Sequence, residues 1–181
     1  MKKLVIFLFF YTICLSSCKE KDTTFLITNN GIGKLEKISL ARDLELIYAD
    51  DSIVKDTFNS KLGPAYQKVK VFEKGGKHLL TITPSDDSIP VIENVRVFDR
   101  RFSTDTGIGL NSTFKDIQAN YTVKKIVTTL NSIVVFVKES DLYFTIDKEE
   151  LPANLRFGTN TIEAVQIPDD AKVKYLMIGW N

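Results

Sequence analysis

Polar and apolar residues alternate with period two in the middle of each half of the chain. Lys68-Val69-Lys70-Val71-Phe72-Glu73 alternates by two through Val71, Gly75-Gly76 offers a tight turn, and His78-Leu79-Leu80-Thr81-Ile82 runs back. Ile126 to Val137, a turn at Glu139-Ser140-Asp141, and Leu142 to Ile146 give the same arrangement farther on. Apolar strands at Asn94–Phe98 and Lys172–Ile178 close the two halves. Such alternation predicts antiparallel sheet with one face buried and the other wet. A helical period precedes each set: Leu40, Leu44, Ile47 and Tyr48 in the first half, Phe114, Ile117 and Tyr121 in the second. Ser39 and Ser112 stand where N-caps are needed, because a hydroxyl can accept from the open N–H groups of a first turn. Gly31-Ile32-Gly33 and Gly107-Ile108-Gly109 come before them, glycine for a turn with positive φ and isoleucine for the core.

These blocks line up in one order. Leu26–Gly33 reads against Phe102–Gly109, Ser39–Tyr48 against Ser112–Tyr121, and Lys74–Thr83 against Lys138–Asp147. The expectation is an α+β fold of two tandem repeats, residues 26–103 and 104–181, each a short helix packed on an antiparallel β-meander. Pro84–Pro90 and Pro168–Asp170 read as surface loops. A Gly turn, a short helix and a meander, repeated, resemble the tandem units of β-lactamase-inhibitor-like proteins and the small outer-membrane lipoproteins of the BamE type. That resemblance implies a binding module facing the periplasm or the cell surface, and it transfers no functional residue. BamE-type proteins usually carry one unit, whereas two are expected here.

The N-terminus alters the picture. Lys2 and Lys3 precede an apolar run from Leu4 to Leu15, and Leu15-Ser16-Ser17-Cys18 follows it. The tetrad resembles a lipobox, and the run is shorter than the ~20 apolar residues that span a bilayer. The expectation is a lipoprotein signal over residues 1–17, cut before Cys18, with residues 18–25 as a lipidated tether. Cys14 is the other candidate for acylation, but Tyr11-Thr12-Ile13 lacks the small residue a cut site needs. The charged tether resembles those of surface-directed Bacteroidota lipoproteins, which implies an outer-membrane location with Cys18 as the membrane contact. Because Cys14 and Cys18 are the only cysteines, the mature chain has neither a disulfide nor a thiolate metal site.

Composition then excludes partners. With 24 basic and 23 acidic residues, two of the bases lost with the signal, the mature chain is near neutral. Nothing calls for a polyanion, and Arg96, Arg100 and Arg101 have no series of aromatics with which to bind nucleic acid. Asp105-Thr106-Gly107 has the letters of an aspartic-protease turn, but Asn29-Asn30-Gly31 stands at the matching place, so no second carboxylate is supplied. Gly31-Ile32-Gly33-Lys34 fails as a phosphate cradle, because Thr28 stands where a P-loop begins with glycine. His78 is the one histidine, and the acidic pairs lack the alternating spacing of a calcium loop.

No cofactor or metal is therefore expected, and a non-catalytic interaction module contacting an envelope protein is the leading reading. Phe98, Tyr175 and Trp180 on the closing strands are its candidate surface. An envelope enzyme or small-ligand carrier, with Asp105, His78 and Arg100 converging in a pocket, is the alternative. Asp22-Thr23-Thr24, Asp51-Ser52-Ile53 and Asp87-Ser88-Ile89 resemble Bacteroidota O-glycosylation triplets, which makes Thr23, Ser52 and Ser88 candidate acceptors in the tether or in loops.

Overall fold

A computed structural model describes residues 22–58, 66–158 and 160–180, with the backbone alone at 57, 58, 66 and 67. The expected signal over residues 1–17, Cys18 and half of the expected tether, residues 18–21, lie outside these residues.

The chain begins with three short strands, β1 (Leu26–Thr28), β2 (Gly31–Ile32) and β3 (Leu35–Glu36). A 3-10 turn at Ala41–Asp43 then leads into one turn of helix, α1 (Leu44–Ile47). Four long strands follow: β4 (Ser52–Phe58), β5 (Tyr66–Phe72), β6 (His78–Pro84) and β7 (Ile92–Val97). After β8 (Ser103–Thr104) and α2 (Phe114–Asn120) come β9 (Val123–Thr128), β10 (Ser132–Val137), β11 (Leu142–Asp147) and β12 (Val173–Gly179).

The expected fold class does not hold. Among the described residues the protein is mostly β, 42% strand against 16% helical, with α2 as the one substantial helix, and it is not a pair of helix-on-meander repeats. All the long strands join in one eight-stranded sheet of order β4-β5-β6-β7-β12-β11-β10-β9, and a small sheet of order β3-β2-β1-β8 stands beside it. The seam between β7 and β12 is antiparallel, pairing Leu176 with Val97 and Ile178 with Val95. Two free edges disappear at that seam, where a pair of separate sheets would leave strands open to foreign pairing. β1 pairs in parallel with β8, Ile27 opposite Thr104, so the small sheet also crosses the expected boundary between the repeats.

Other local expectations shift for identifiable reasons. Ile126–Val137 is a hairpin rather than one strand: Thr129 Oγ1 donates to the Ser132 carbonyl at 2.9 Å and closes a turn that leaves Leu130 at the exposed tip. The caps move by a residue. Thr113, not Ser112, caps α2 in a reciprocal capping box with Asp116, while Ser112 Oγ accepts from the Gly109 N–H at 3.0 Å. Ser39 Oγ accepts from the Glu36 N–H, and Leu40 at the start of the 3-10 turn provides no side-chain cap. The helix expected over Ser39–Tyr48 therefore shrinks, though Leu44 and Tyr48 stay buried. Gly33 and Gly107 take positive φ, whereas at Gly31 and Gly109 a Cβ would strike the Leu35 and Phe102 carbonyls.

Cross-strand register divides the large sheet into two kinds of row. Val71, Leu80, Val97, Leu176, Phe144, Val135 and Ile126 form one row from β5 to β9, and all but Ile126 are buried. This inner face packs in one cluster with Ile27, Ile32, Leu35 and Phe102 near the small sheet, Phe114 and Ile117 of α2, and Leu151, Ile162 and Ile167 of the β11–β12 connection. The other kind of row faces outward.

Candidate functional site

Because successive side chains of a strand point to opposite faces, the residues between the core positions come out together on the outer face. One row crosses all eight strands: Val54, Lys70, Thr81, Arg96, Met177, Tyr143, Phe136 and Lys125. None of these is buried, and Val54 is 49% exposed. Stripes of half-exposed apolar surface on a sheet are where partners or ligands dock.

Two aromatic groups build on this row. In the first, the Phe72 ring stacks on His78 with centroids 4.7 Å apart, and His78 stacks on Phe98 at 3.8 Å, the planes within 25° in both pairs. The Arg96 guanidinium lies over both Phe98, 4.7 Å to the centroid, and Tyr175, at 3.8 Å. A ladder of rings and one cation thus runs from β5 across β6 and β7 to β12. His78 Nε2 lies 3.1 Å from the Leu80 carbonyl and 3.0 Å from Thr81 Oγ1. Burial lowers the His78 pKa and the nearby Lys70 and Arg96 lower it further, against the Leu80 hydrogen bond, so the imidazole is neutral at pH 7.

In the second group Tyr143 leans from β11 over Gly179 of β12, and Asn94 of β7 donates to its hydroxyl. A Cβ on Gly179 would stand 3.4 Å from the Tyr143 ring, an ordinary van der Waals contact, so the ring lies close along the strand at this point. Phe136 stacks against Tyr143 at 5.2 Å, and Lys125 Nζ lies 4.6 Å above Phe136. With Glu93, Lys124 and Asp141 these residues line a groove of about 500 Å³.

Of the residues singled out in the sequence, Phe98 and Tyr175 lie in the first ladder. Trp180 does not: it is 3% exposed and belongs to the core, its indole N–H without a partner among the described residues. Asp105, His78 and Arg100 do not share a groove. Asp105 borders a separate one of about 450 Å³ with Thr106, Tyr121 and Glu139, His78 stands in the ladder, and Arg100 is exposed in the turn after β7. Thr23, Ser52 and Ser88 are all exposed, though Ser52 begins β4 rather than lying in a loop. Among the described residues no cluster of His, Cys, Asp or Glu is disposed to hold a metal ion, and no helix is long and apolar enough to cross a membrane.

Sequence reasoning missed Phe72, Arg96, Phe136 and Tyr143 as members of a surface. The signal was available for the first two, since period-two alternation puts 70 and 72, then 94, 96 and 98, opposite the buried valines of their strands. Phe136 and Tyr143 become neighbours only through the pairing of β10 with β11.

Comparison with protein families and with curated proteins gives no match. Among solved structures, the chain is similar to the crystal structure of the uncharacterized protein yfeY from Escherichia coli. The TM-score is 0.59 at 15% identity, covering 85% of this chain and 99% of that one. At that identity the likeness concerns the fold alone.

Proposed function

We propose that this protein is a lipid-anchored envelope lipoprotein, held in the outer membrane by an acylated Cys18, which binds a partner non-catalytically through the outer face of its large sheet. The observation that carries the binding role is the outward row from Val54 to Lys125, with its two aromatic–cation groups left half exposed. Aromatic and arginine side chains are the residues that contribute most at protein interfaces. The anchor rests on Leu15-Ser16-Ser17-Cys18 behind the basic and apolar leader. A single acyl chain gives only marginal membrane binding, so stable anchoring requires more than one chain on Cys18.

The test has two arms. Metabolic labelling with an alkyne fatty acid should mark the native protein and leave Cys18→Ser unmarked; equal labelling of both removes the anchor. A photo-crosslinking amino acid placed at Tyr175 or at Val54 should capture one dominant, identifiable envelope protein in cells, while the same group at exposed Val165, away from the sheet, should not. Indistinguishable capture from both faces removes the binding role.

A further inference from the structure

Arg96 is the anomaly on the outer face. Among the described residues its guanidinium makes no hydrogen bond and no ion pair, and Nε is buried without an acceptor. Its neighbours are otherwise matched. Lys70 pairs with Asp56 at 2.8 Å, Lys174 pairs with Asp147, and His78 finds Leu80 and Thr81. A buried donor without an acceptor costs about 1–3 kcal/mol, so native structures rarely leave one open without a reason.

Stacking on Phe98 and Tyr175 restricts the plane of the guanidinium but satisfies none of its five N–H groups. What remains is the accessible Nη end of a pre-oriented guanidinium, Nε being covered, with no anion beside it among the described residues and two rings at its border.

We propose that Arg96 anchors an oxyanion-binding site on the outer face, taking a carboxylate or phosphate group that forks onto the guanidinium while its apolar body lies along Phe98 and Tyr175. The chemistry is that of bidentate Arg–oxyanion pairing, in which two parallel N–H···O bonds add geometric specificity to charge. Lys70 and Arg96 both act electrostatically on His78, and since Lys70 is paired with Asp56 the unpaired cation of this group is Arg96 among the described residues. Thr81 is the register partner of Arg96 on β6 and brings a hydroxyl to the same row. The proposal rests on the outer face being the binding surface and is independent of the lipid anchor.

The test uses the full chain in detergent and follows the Arg96 Nε–Hε and His78 ring signals by NMR while inorganic phosphate or sodium benzoate is added. The expected result is a saturable shift of the Arg96 signal and a rise in the His78 titration midpoint, because bound negative charge favours the imidazolium. Arg96→Lys keeps the charge but loses the fork, and should weaken binding by about tenfold, or about 1.4 kcal/mol. Tighter binding of benzoate identifies a carboxylate on an apolar body, and tighter binding of phosphate identifies a phosphoryl group. No saturable response to either probe overturns the assignment, as does equal affinity in Arg96→Lys. If crosslinking from Tyr175 still captures its partner after such a result, the interaction role survives and only the oxyanion site falls. If the probes bind and nothing is captured, the reverse holds.

Discussion

Replacing Asp99 by asparagine is the perturbation whose cost the structure defines most closely. The Asp99 side chain is fully inaccessible, yet its carboxylate accepts from the Arg101 backbone N–H at 2.9 Å, from the Arg101 guanidinium at 3.0 and 2.6 Å, and lies 3.1 Å from Lys77 Nζ. Arg101 in turn forks onto Glu73 at 3.0 and 2.7 Å and lies 4.0 Å over the Phe25 ring, which ties the start of β1 to the β5–β6 hairpin. Burial by itself would raise the Asp99 pKa. The hydrogen bonds from Arg101 and Lys77 outweigh it and hold the group at about 2.

Against the ordinary 3.8, that difference corresponds to about 2 kcal/mol of stability. Since Lys77 and Arg101 are partly exposed, solvent screening reduces the expectation to about 1–2 kcal/mol. The folded value lies below the unfolded one, so this stabilisation is complete above about pH 5 and is lost as pH falls through 4 toward 2. Asparagine removes the charge and also turns an amide N–H₂ toward donors, leaving buried groups unsatisfied. Asp99→Asn should therefore cost about 2–3 kcal/mol at neutral pH. Urea denaturation from pH 7 down to about pH 2.5 should show the gap between wild type and variant narrowing by about 1–2 kcal/mol on the acid side. A variant within 0.5 kcal/mol of wild type at pH 7, or a gap that does not change with pH, refutes the reasoning.

Phe114→Ala should cost about 3–5 kcal/mol in the same assay, because the ring is fully buried where α2 meets the sheet, while Val165→Ala, 86% exposed, should stay within about 0.5 kcal/mol. Thr113→Ala should remove the capping box and cost about 1 kcal/mol, with Thr113→Ser close to neutral; the thermal midpoint would show it. Gly33→Ala should destabilise by clearly more than Gly107→Ala: both need positive φ, worth about 1–2 kcal/mol, but only at Gly33 would the Cβ also meet the Thr24 carbonyl, at 2.5 Å. Equal costs at the two glycines would show that the close approach of the Thr24 backbone is not maintained.

Local chemistry was readable where neighbours in sequence decide it. Alternation in Lys68–Glu73, His78–Ile82 and Asn94–Phe98 separates inward from outward side chains, and Gly75-Gly76 lies at the turn between β5 and β6. Ile32 and Ile108 are buried beside their glycines, and Phe114 and Ile117 face the core as their spacing requires. Errors arose where two outcomes use the same residues. A polar break such as Thr129-Leu130-Asn131 can sit within a strand or close a hairpin, and Ser112 and Thr113 are equally fit to cap α2. Trp180 shows the limit for single side chains: an aromatic at the end of an alternating strand faces solvent or core according to register, and register here makes it core.

By itself, then, the sequence determined which side chains share a face of each strand and where most turns fall. Only the tertiary structure decided that β7 pairs with β12, because an apolar strand edge carries no mark naming its partner, and backbone hydrogen bonds are the same whichever strand supplies them. That one pairing turns an expected pair of small α+β units into a single mostly-β sheet. It also brings Tyr175 of β12 beside Arg96 of β7, residues 79 positions apart, and so creates the outer site that neither half of the chain contains.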